Sequence, residues 1–127
     1  MATAYTVPAI LRVTRSQQSG LYVMTAAWQV VYSNSGPYAW LFGAAEMNLT
    51  PMGAGDTIDI RVRKVIVSGG AQVVHHLISY SDVQPVNHPS VHVGPLLSVY
   101  GVEVAMRQTA VAVALLNINC EFFDAFR

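Results

Sequence analysis

The four histidines are the residues of this chain whose chemistry most readily suggests a site, and they lie close together at His75, His76, His88 and His92. Imidazole is the commonest metal ligand near neutral pH, and a zinc or iron site needs three or four ligands of fixed geometry. If the strand that carries His75 pairs with the strand that carries His92, these side chains could meet across a sheet. However, no spacing matches a metalloenzyme signature, and the adjacent His75 and His76 should point to opposite faces of a strand. A metal-dependent enzyme that uses His75, His88 and His92 is therefore an alternative hypothesis, and we expect no cofactor.

The other residue types that support catalysis lack the surroundings that catalysis requires. No serine near the histidines lies in a Gly-x-Ser-x-Gly elbow. The glycines of segment 53–55 lead into a strand, whereas a phosphate cradle precedes a helix. The carboxylates of Asp56, Asp59, Glu103 and Glu121 fall on the polar phase of alternating strands, which predicts solvent exposure and an ordinary pKa. We therefore expect that the protein is not an enzyme.

Four aromatic residues, Trp28, Tyr32, Tyr38 and Trp40, flank the short polar segment 33–37. Aromatic side chains fill cores, anchor protein interfaces or stack on sugars. Core filling is the commonest of these uses and interface anchoring comes next. A carbohydrate-binding, lectin-like module that uses Trp28 and Trp40 is a second alternative hypothesis.

The elements that must position these residues are strands, because the dominant hydrophobic period is two. Ile58, Ile60 and Val62 alternate with Asp59, Arg61 and Arg63, which predicts a strand with one buried and one wet face. Ser68-Gly69-Gly70 then predicts a hairpin loop. We expect an all-β fold, an antiparallel β-sandwich of jelly-roll, Greek-key or meander type, in a single domain over residues 1–127. The later strands are predicted at 72–80, 91–93, 100–108 and 117–126.

The segment 21–32 carries apolar residues on both alternating sets, which is typical of a strand that is covered on both faces. In a small antiparallel sheet the second cover often comes from another chain. We expect segment 37–47 to be a strand rather than a helix, since Gly43 breaks the helical pattern. Residues 1–18 are predicted to form an arm that can pair with a neighbour's sheet edge. The predicted oligomer interface comprises Tyr22, Met24, Trp28, Val30, Tyr32, Trp40 and Phe42.

Composition indicates what kind of partner the chain needs. Hydrophobic residues make up 53% and charged residues 11%, against about 25% charged residues in a typical domain. Charged side chains keep most monomers unattached, so a chain with few of them is expected to bury apolar surface against copies of itself. The net charge is zero, which argues against a nucleic-acid partner. The sequence contains no run of about 20 apolar residues, so we expect no membrane partner. The first residues also lack the features of a secretory signal.

The order of the predicted strands and turns resembles that of small β-sandwich structural proteins of viruses, especially tailed phages. The resemblance covers roughly the second half of the chain and lies in segments 55–62, 68–70, 100–104 and 120–124. It implies a self-assembling capsid, decoration or tail subunit, located in a virion or another extracellular assembly, with other virion proteins as further partners. It implies no active site.

Overall fold

The computed structural model describes residues 12–34, 40–87, 89–98 and 100–126, and every regular element in these ranges is a β-strand. Within the same ranges no helix is long and apolar enough to cross a membrane. The strands are β1 (Arg12–Arg15), β2 (Gly20–Val23), β3 (Gln29–Asn34), β4 (Trp40–Asn48), β5 (Thr57–Val65), β6 (Gln72–Ser81), β7 (Ser90–Val93), β8 (Leu96–Ser98), β9 (Val102–Ala110) and β10 (Asn117–Phe126).

These strands form two antiparallel sheets that pack against each other, which confirms the predicted all-β sandwich. Sheet A has the order β1-β10-β4-β7, with β2 also paired to β10 and β8 also paired to β4. Sheet B has the order β3-β9-β5-β6. Among the described strand pairs, only β5 and β6 are neighbours in sequence, so a plain meander is ruled out.

The core between the sheets is built by the predicted alternation. The core contains Ile58, Ile60 and Val62 of β5 from sheet B. It also contains Ile118 and Phe122 of β10 from sheet A. Each such side chain contributes about 1.5–3 kcal/mol through its burial. Aromatic residues fill the centre, where the Tyr32 ring centroid lies 5.0 Å from that of Phe42 and 5.1 Å from that of Phe122.

The hairpin of β5 and β6 is confirmed, and it contains an irregularity that the sequence did not reveal. Gly69 turns the chain at a φ of 72°, in the left-handed region that glycine tolerates. The register then pairs Val62 with His76 but Arg63 with Val74, so His75 is an extra residue in β6. Such a bulge shifts the alternation of every residue beyond it.

Part of the predicted N-terminal arm belongs to the sandwich itself. Arg12–Arg15 forms β1, which pairs with β10 of the same chain from Arg12 opposite Phe126 to Arg15 opposite Phe123. This portion is therefore a strand of sheet A and not a free arm. Residues 1–11 lie outside the described part of the chain. The strand expected over 37–47 is present from Trp40, and residues 37–39 also lie outside the described part.

Three carboxylates that the alternation assigned to solvent are buried. Asp56, Asp59 and Glu103 expose 4%, 6% and 8% of their surface. The Asp56 carboxylate accepts hydrogen bonds from the backbone N–H groups of Gly53 and Ala112, each at 2.9 Å. These two bonds lower the pKa of Asp56 below its ordinary value, since they favour the charged form. The Asp56 carboxylate is therefore satisfied by one partner in its own turn and one that is distant in sequence.

Candidate functional site

The outer face of sheet B, which points away from the core, gathers five of the eleven Asp, Glu, Lys and Arg residues of the described strands. Register places Asp59 of β5 opposite Arg107 of β9. Four residues further along β5, Arg63 lies opposite Glu103. Opposite charges on directly paired residues stabilise an antiparallel sheet. The wet face that the alternation predicted is therefore an ordered ionic layer.

Short hydrogen bonds hold these pairs. Arg63 Nε donates to Glu103 Oε1 at 3.0 Å, and Arg107 Nε donates to Asp59 Oδ2 at 2.9 Å. Ser79 of β6 completes the second pair, because its hydroxyl donates to Asp59 Oδ1 at 2.5 Å. Both carboxylates are buried, so the pairs are better shielded from salt than ordinary surface pairs.

Trp28, which precedes β3, lies over this layer. The guanidinium carbons of Arg61 and Arg107 are each 4.3 Å from its ring centroid, within cation–π range. Arg61 is the less satisfied of the two cations: its ion-pair contact with Glu103 is 3.6 Å long, and its buried Nε has no hydrogen-bond partner. Burial, followed by the charge of Arg63, lowers the pKa of Arg61. The Trp28 ring is thus already engaged by two cations of the chain itself, which does not favour its use as a sugar-stacking platform in the lectin-like hypothesis.

Exposed apolar residues border the ionic layer on both sides. Val30 of β3 exposes 48% of its surface, and Val74 and Leu77 of β6 expose 53% and 58%. Register assigns all three to the outer face, since Leu77 lies opposite Arg61, Val74 opposite Arg63 and Val30 opposite Ala105. We call Trp28, Val30, Arg61, Val74, Leu77 and Arg107 the sheet B patch.

The strand that forms one border of the sheet B patch is also a sheet edge. Among the described strands β6 pairs only with β5, and its Gln72–Ser81 span contains no Lys, Arg, Asp, Glu or Pro. Charged residues and prolines are the usual protection of edge strands against pairing with other chains. The edge of β6 is therefore open to contact with another molecule.

The histidines border a cleft rather than a metal centre. His75 and His76 of β6 and His92 of β7 line a cavity of about 250 Å³ together with apolar residues such as Phe42 and Leu96. The expected pairing of their strands is wrong, because β6 belongs to sheet B and β7 to sheet A. The bulge at His75 interrupts the alternation on which the expected opposite orientation of His75 and His76 depends, and both residues line this cavity.

No metal site is formed by the described residues. Within ranges 12–34, 40–87, 89–98 and 100–126, no three His, Cys, Asp or Glu side chains converge closely enough to hold an ion. His88, the third member of the predicted set, lies outside these ranges. The structure therefore offers no support for the metal-dependent enzyme.

The residues of the predicted oligomer interface do not lie on one surface of the folded chain. Met24, Tyr32 and Phe42 are fully buried in the chain's own core, so their assignment to a contact surface is wrong. Tyr22 is half-buried and its hydroxyl donates to the carbonyl of Val31 at 2.9 Å. Trp28 and Val30 remain partly accessible as members of the sheet B patch. The side chain of Trp40 lies outside the part of the chain that the structure describes.

The apolar residues on both phases of segment 21–32 have an internal explanation. Gly20–Val23 belongs to sheet A and Gln29–Asn34 to sheet B, so the two halves of the segment cover the core from opposite sides. Register also shifts between Val30 and Tyr32, which places Val31 and Tyr32 consecutively in the core. The second cover is thus supplied within the chain, and a neighbouring subunit is not needed there.

The outer face of sheet A carries a second set of exposed residues that the alternation did not single out. Leu21 and Val23 of β2 expose 65% and 57% of their surface. Glu46 of β4 is exposed and lies in register between Glu121 of β10 and His92 of β7. Arg15 of β1 forms an ion pair with Glu121 at 2.5 Å. We call this group of residues the sheet A patch: Leu21, Val23, Glu46, Glu121 and Arg15.

The signals for both patches were present in the sequence but depended on tertiary structure. Arg61 and Arg107 were visible as polar members of alternating strands, yet only register brings them to Trp28. Leu21 and Val23 lie in a segment that is apolar on both alternating sets, so the sequence pattern does not separate them from the residues that face the core. No protein-family model, curated protein or solved structure matches this chain.

Proposed function

We propose that this protein is a non-enzymatic structural subunit that assembles with copies of itself through the sheet B patch. The proposal rests chiefly on Val30, Val74 and Leu77, which lie exposed around an ordered Trp–Arg layer on one face. Exposed apolar side chains that lie next to ordered tryptophan and arginine side chains indicate a contact surface. A second copy is the occupant that the low charge of the whole chain favours.

The composition of the sheet B patch is that of an interface centre. Tryptophan and arginine are enriched among the residues that dominate binding energy, whereas lysine is depleted at interfaces. Trp28, Arg61 and Arg107 are also held by one another and by Asp59, so they lose little side-chain freedom when a partner docks. A preorganised surface of this kind spends less of its binding energy on ordering.

Self-assembly agrees with a virion role of the capsid, decoration or tail type, which the resemblance of the second half of the chain implies. An obligate contact in such an assembly typically buries about 2,000 Å² or more. A location in a virion or another extracellular assembly, and contacts with other virion proteins, belong to the same proposal.

The test is the molecular mass in solution. We expect the purified chain to elute well above the monomer mass of 13.8 kDa in size-exclusion chromatography with light scattering at micromolar concentration. Leu77→Glu should weaken self-association at least about tenfold, because it replaces an exposed apolar side chain of the contact with a carboxylate that can occupy Arg61 on the facing strand. Val86→Glu is the matched control, since Val86 exposes 91% of its surface in the segment between β6 and β7.

Two results would overturn the proposal. A wild-type chain that remains monomeric throughout the micromolar range has no self-contact of useful strength. A Leu77→Glu variant that associates as the wild type and the Val86→Glu control do would place the contact elsewhere. Circular dichroism of each variant shows whether the fold is retained.

A further inference from the structure

We propose that the sheet B patch of one copy docks on the sheet A patch of the next, with Glu46 of one copy received by Arg61 and Arg107 of its neighbour. This inference rests on the proposed self-assembly and names the surface that meets the sheet B patch. It makes the contact heterologous, that is, formed by two different surfaces of the same chain.

The charges of the two faces are complementary. The outer face of sheet B carries the guanidinium groups of Arg61, Arg63 and Arg107 against the carboxylates of Asp59 and Glu103. The described side chains on the outer face of sheet A carry two carboxylates, Glu46 and Glu121, against one guanidinium, Arg15. Two sheet A faces, or two sheet B faces, therefore repel each other weakly, whereas a sheet A face attracts a sheet B face.

Glu46 is the acceptor that the sheet A patch leaves available. It is exposed, and it forms no ion pair with any side chain that the structure describes. Its strand neighbour Glu121 is already engaged by Arg15 at 2.5 Å. A carboxylate that stands next to another carboxylate gains from a cation supplied by a partner.

Arg107, with 35% of its side chain exposed, is the main donor that the sheet B patch leaves available, and Arg61, with 17% exposed, is the second. Arg107 uses its Nε for Asp59, and none of its other nitrogens donates to a residue in the described ranges. Arg61 is held 3.6 Å from Glu103, which is longer than a good hydrogen bond. A guanidinium whose nitrogens are not all used can bind a carboxylate through a strong charge-assisted bond.

Apolar residues surround the ionic contact on both patches. Leu21 and Val23 border the sheet A patch, and Val30, Val74 and Leu77 border the sheet B patch. Docking the two faces would remove these side chains from water around the buried carboxylate–guanidinium contact. Surrounding contacts that exclude water are the usual setting of interfacial anchors.

The inference has a geometric consequence. Because each contact uses one patch from each copy, every copy at the end of a row retains one free patch. Assembly then continues until the rotation between copies closes a ring, or without limit as a filament. A contact between two identical patches, such as edge-to-edge pairing of β6, would stop at a dimer.

The experiment mixes two variants that are each blocked on one face. Glu46→Lys disables the sheet A patch and Leu77→Glu disables the sheet B patch, and each is expected to raise the dissociation constant at least about tenfold. Each variant retains the patch that the other has lost. Light scattering of the equimolar mixture should therefore show a mixed dimer that does not grow further, whereas each variant alone runs as a monomer.

The controls and the contrary outcomes separate this inference from the proposed function. Val86→Glu and Asn87→Lys add the same charges to the neighbouring segment between β6 and β7 and should assemble as the wild type does. If the wild type assembles but the mixture remains monomeric, or if Glu46→Lys assembles normally, the contact does not use the sheet A patch and the inference fails alone. If the wild type is monomeric, both proposals fail.

Discussion

Removal of the Asp56 carboxylate tests how far single buried acceptors hold this fold. Asp56 lies where the turn before β5 meets the segment between β9 and β10, and it is 4% exposed. Its carboxylate accepts the N–H groups of Gly53 and Ala112 at 2.9 Å and the side-chain amide of Gln108 at 3.1 Å. Asp56→Ala leaves these three donors without their acceptor.

The expected loss follows from those bonds. A buried donor that loses its partner costs about 1–3 kcal/mol, and water that enters the vacated space recovers part of this. We expect Asp56→Ala to lower the free energy of unfolding by about 3 kcal/mol. Asp56→Asn retains one carbonyl oxygen and should lose about 2 kcal/mol. Asp82→Asn is the control, because Asp82 is exposed and its carboxylate accepts a single backbone bond, from Gly55.

The pH dependence supplies an independent check. The folded protein lowers the pKa of Asp56, so the stability that this carboxylate contributes is fully present above the pKa of an unfolded aspartate, about 3.9. That stability is lost as the pH falls through the lower folded-state pKa. The difference between the wild type and Asp56→Asn should therefore be largest near neutral pH and shrink below about pH 4.

Urea denaturation followed by circular dichroism, at one protein concentration and several pH values, measures these differences. An Asp56→Ala variant within about 0.5 kcal/mol of the wild type would refute the reasoning, since surface substitutions have effects of that size. So would a difference between the wild type and Asp56→Asn that stays constant from neutral to acid pH.

Two further predictions concern single residues described above. Trp28→Ala should lower the free energy of unfolding by about 1–2 kcal/mol because two guanidiniums lose their aromatic partner, and Trp28→Phe should recover part of the loss; equal urea midpoints for all three proteins would contradict this. Cys120 is fully buried, and burial raises the pKa of its thiol to about 12. It should therefore resist a thiol reagent at pH 8 in the native protein and react fully in denaturant, and fast native labelling would show that the core is open.

The sequence predicted the fold where the pattern is local. The alternation of Ile58, Ile60 and Val62 and the Ser68-Gly69-Gly70 loop defined the β5–β6 hairpin without knowledge of any other strand. The strands predicted at 100–108 and 117–126 are present as β9 (Val102–Ala110) and β10 (Asn117–Phe126).

The candidate site was less predictable because it depends on contacts between distant segments. The burial of Asp59 becomes explicable only when register brings Arg107 and Ser79 to it. The bulge at His75 leaves no mark in the residue types around it, so the cleft behind β6 could not be foreseen. The change of sheets within segment 21–32 was likewise not visible in the sequence. Apolar residues that contribute to the chain's own core therefore led to the prediction of a contact with a second chain.

The position of β10 has a consequence for how the protein is made. β10 lies between β4 on one side and β1 and β2 on the other, so three earlier strands of sheet A share it as a partner. Until residues 117–126 leave the ribosome, a nascent chain has β1, β2 and β4 without their common partner. Contacts of such long sequence separation form slowly and leave apolar strands exposed in the meantime. Sheet A can therefore be completed only after residues 117–126 have been synthesised.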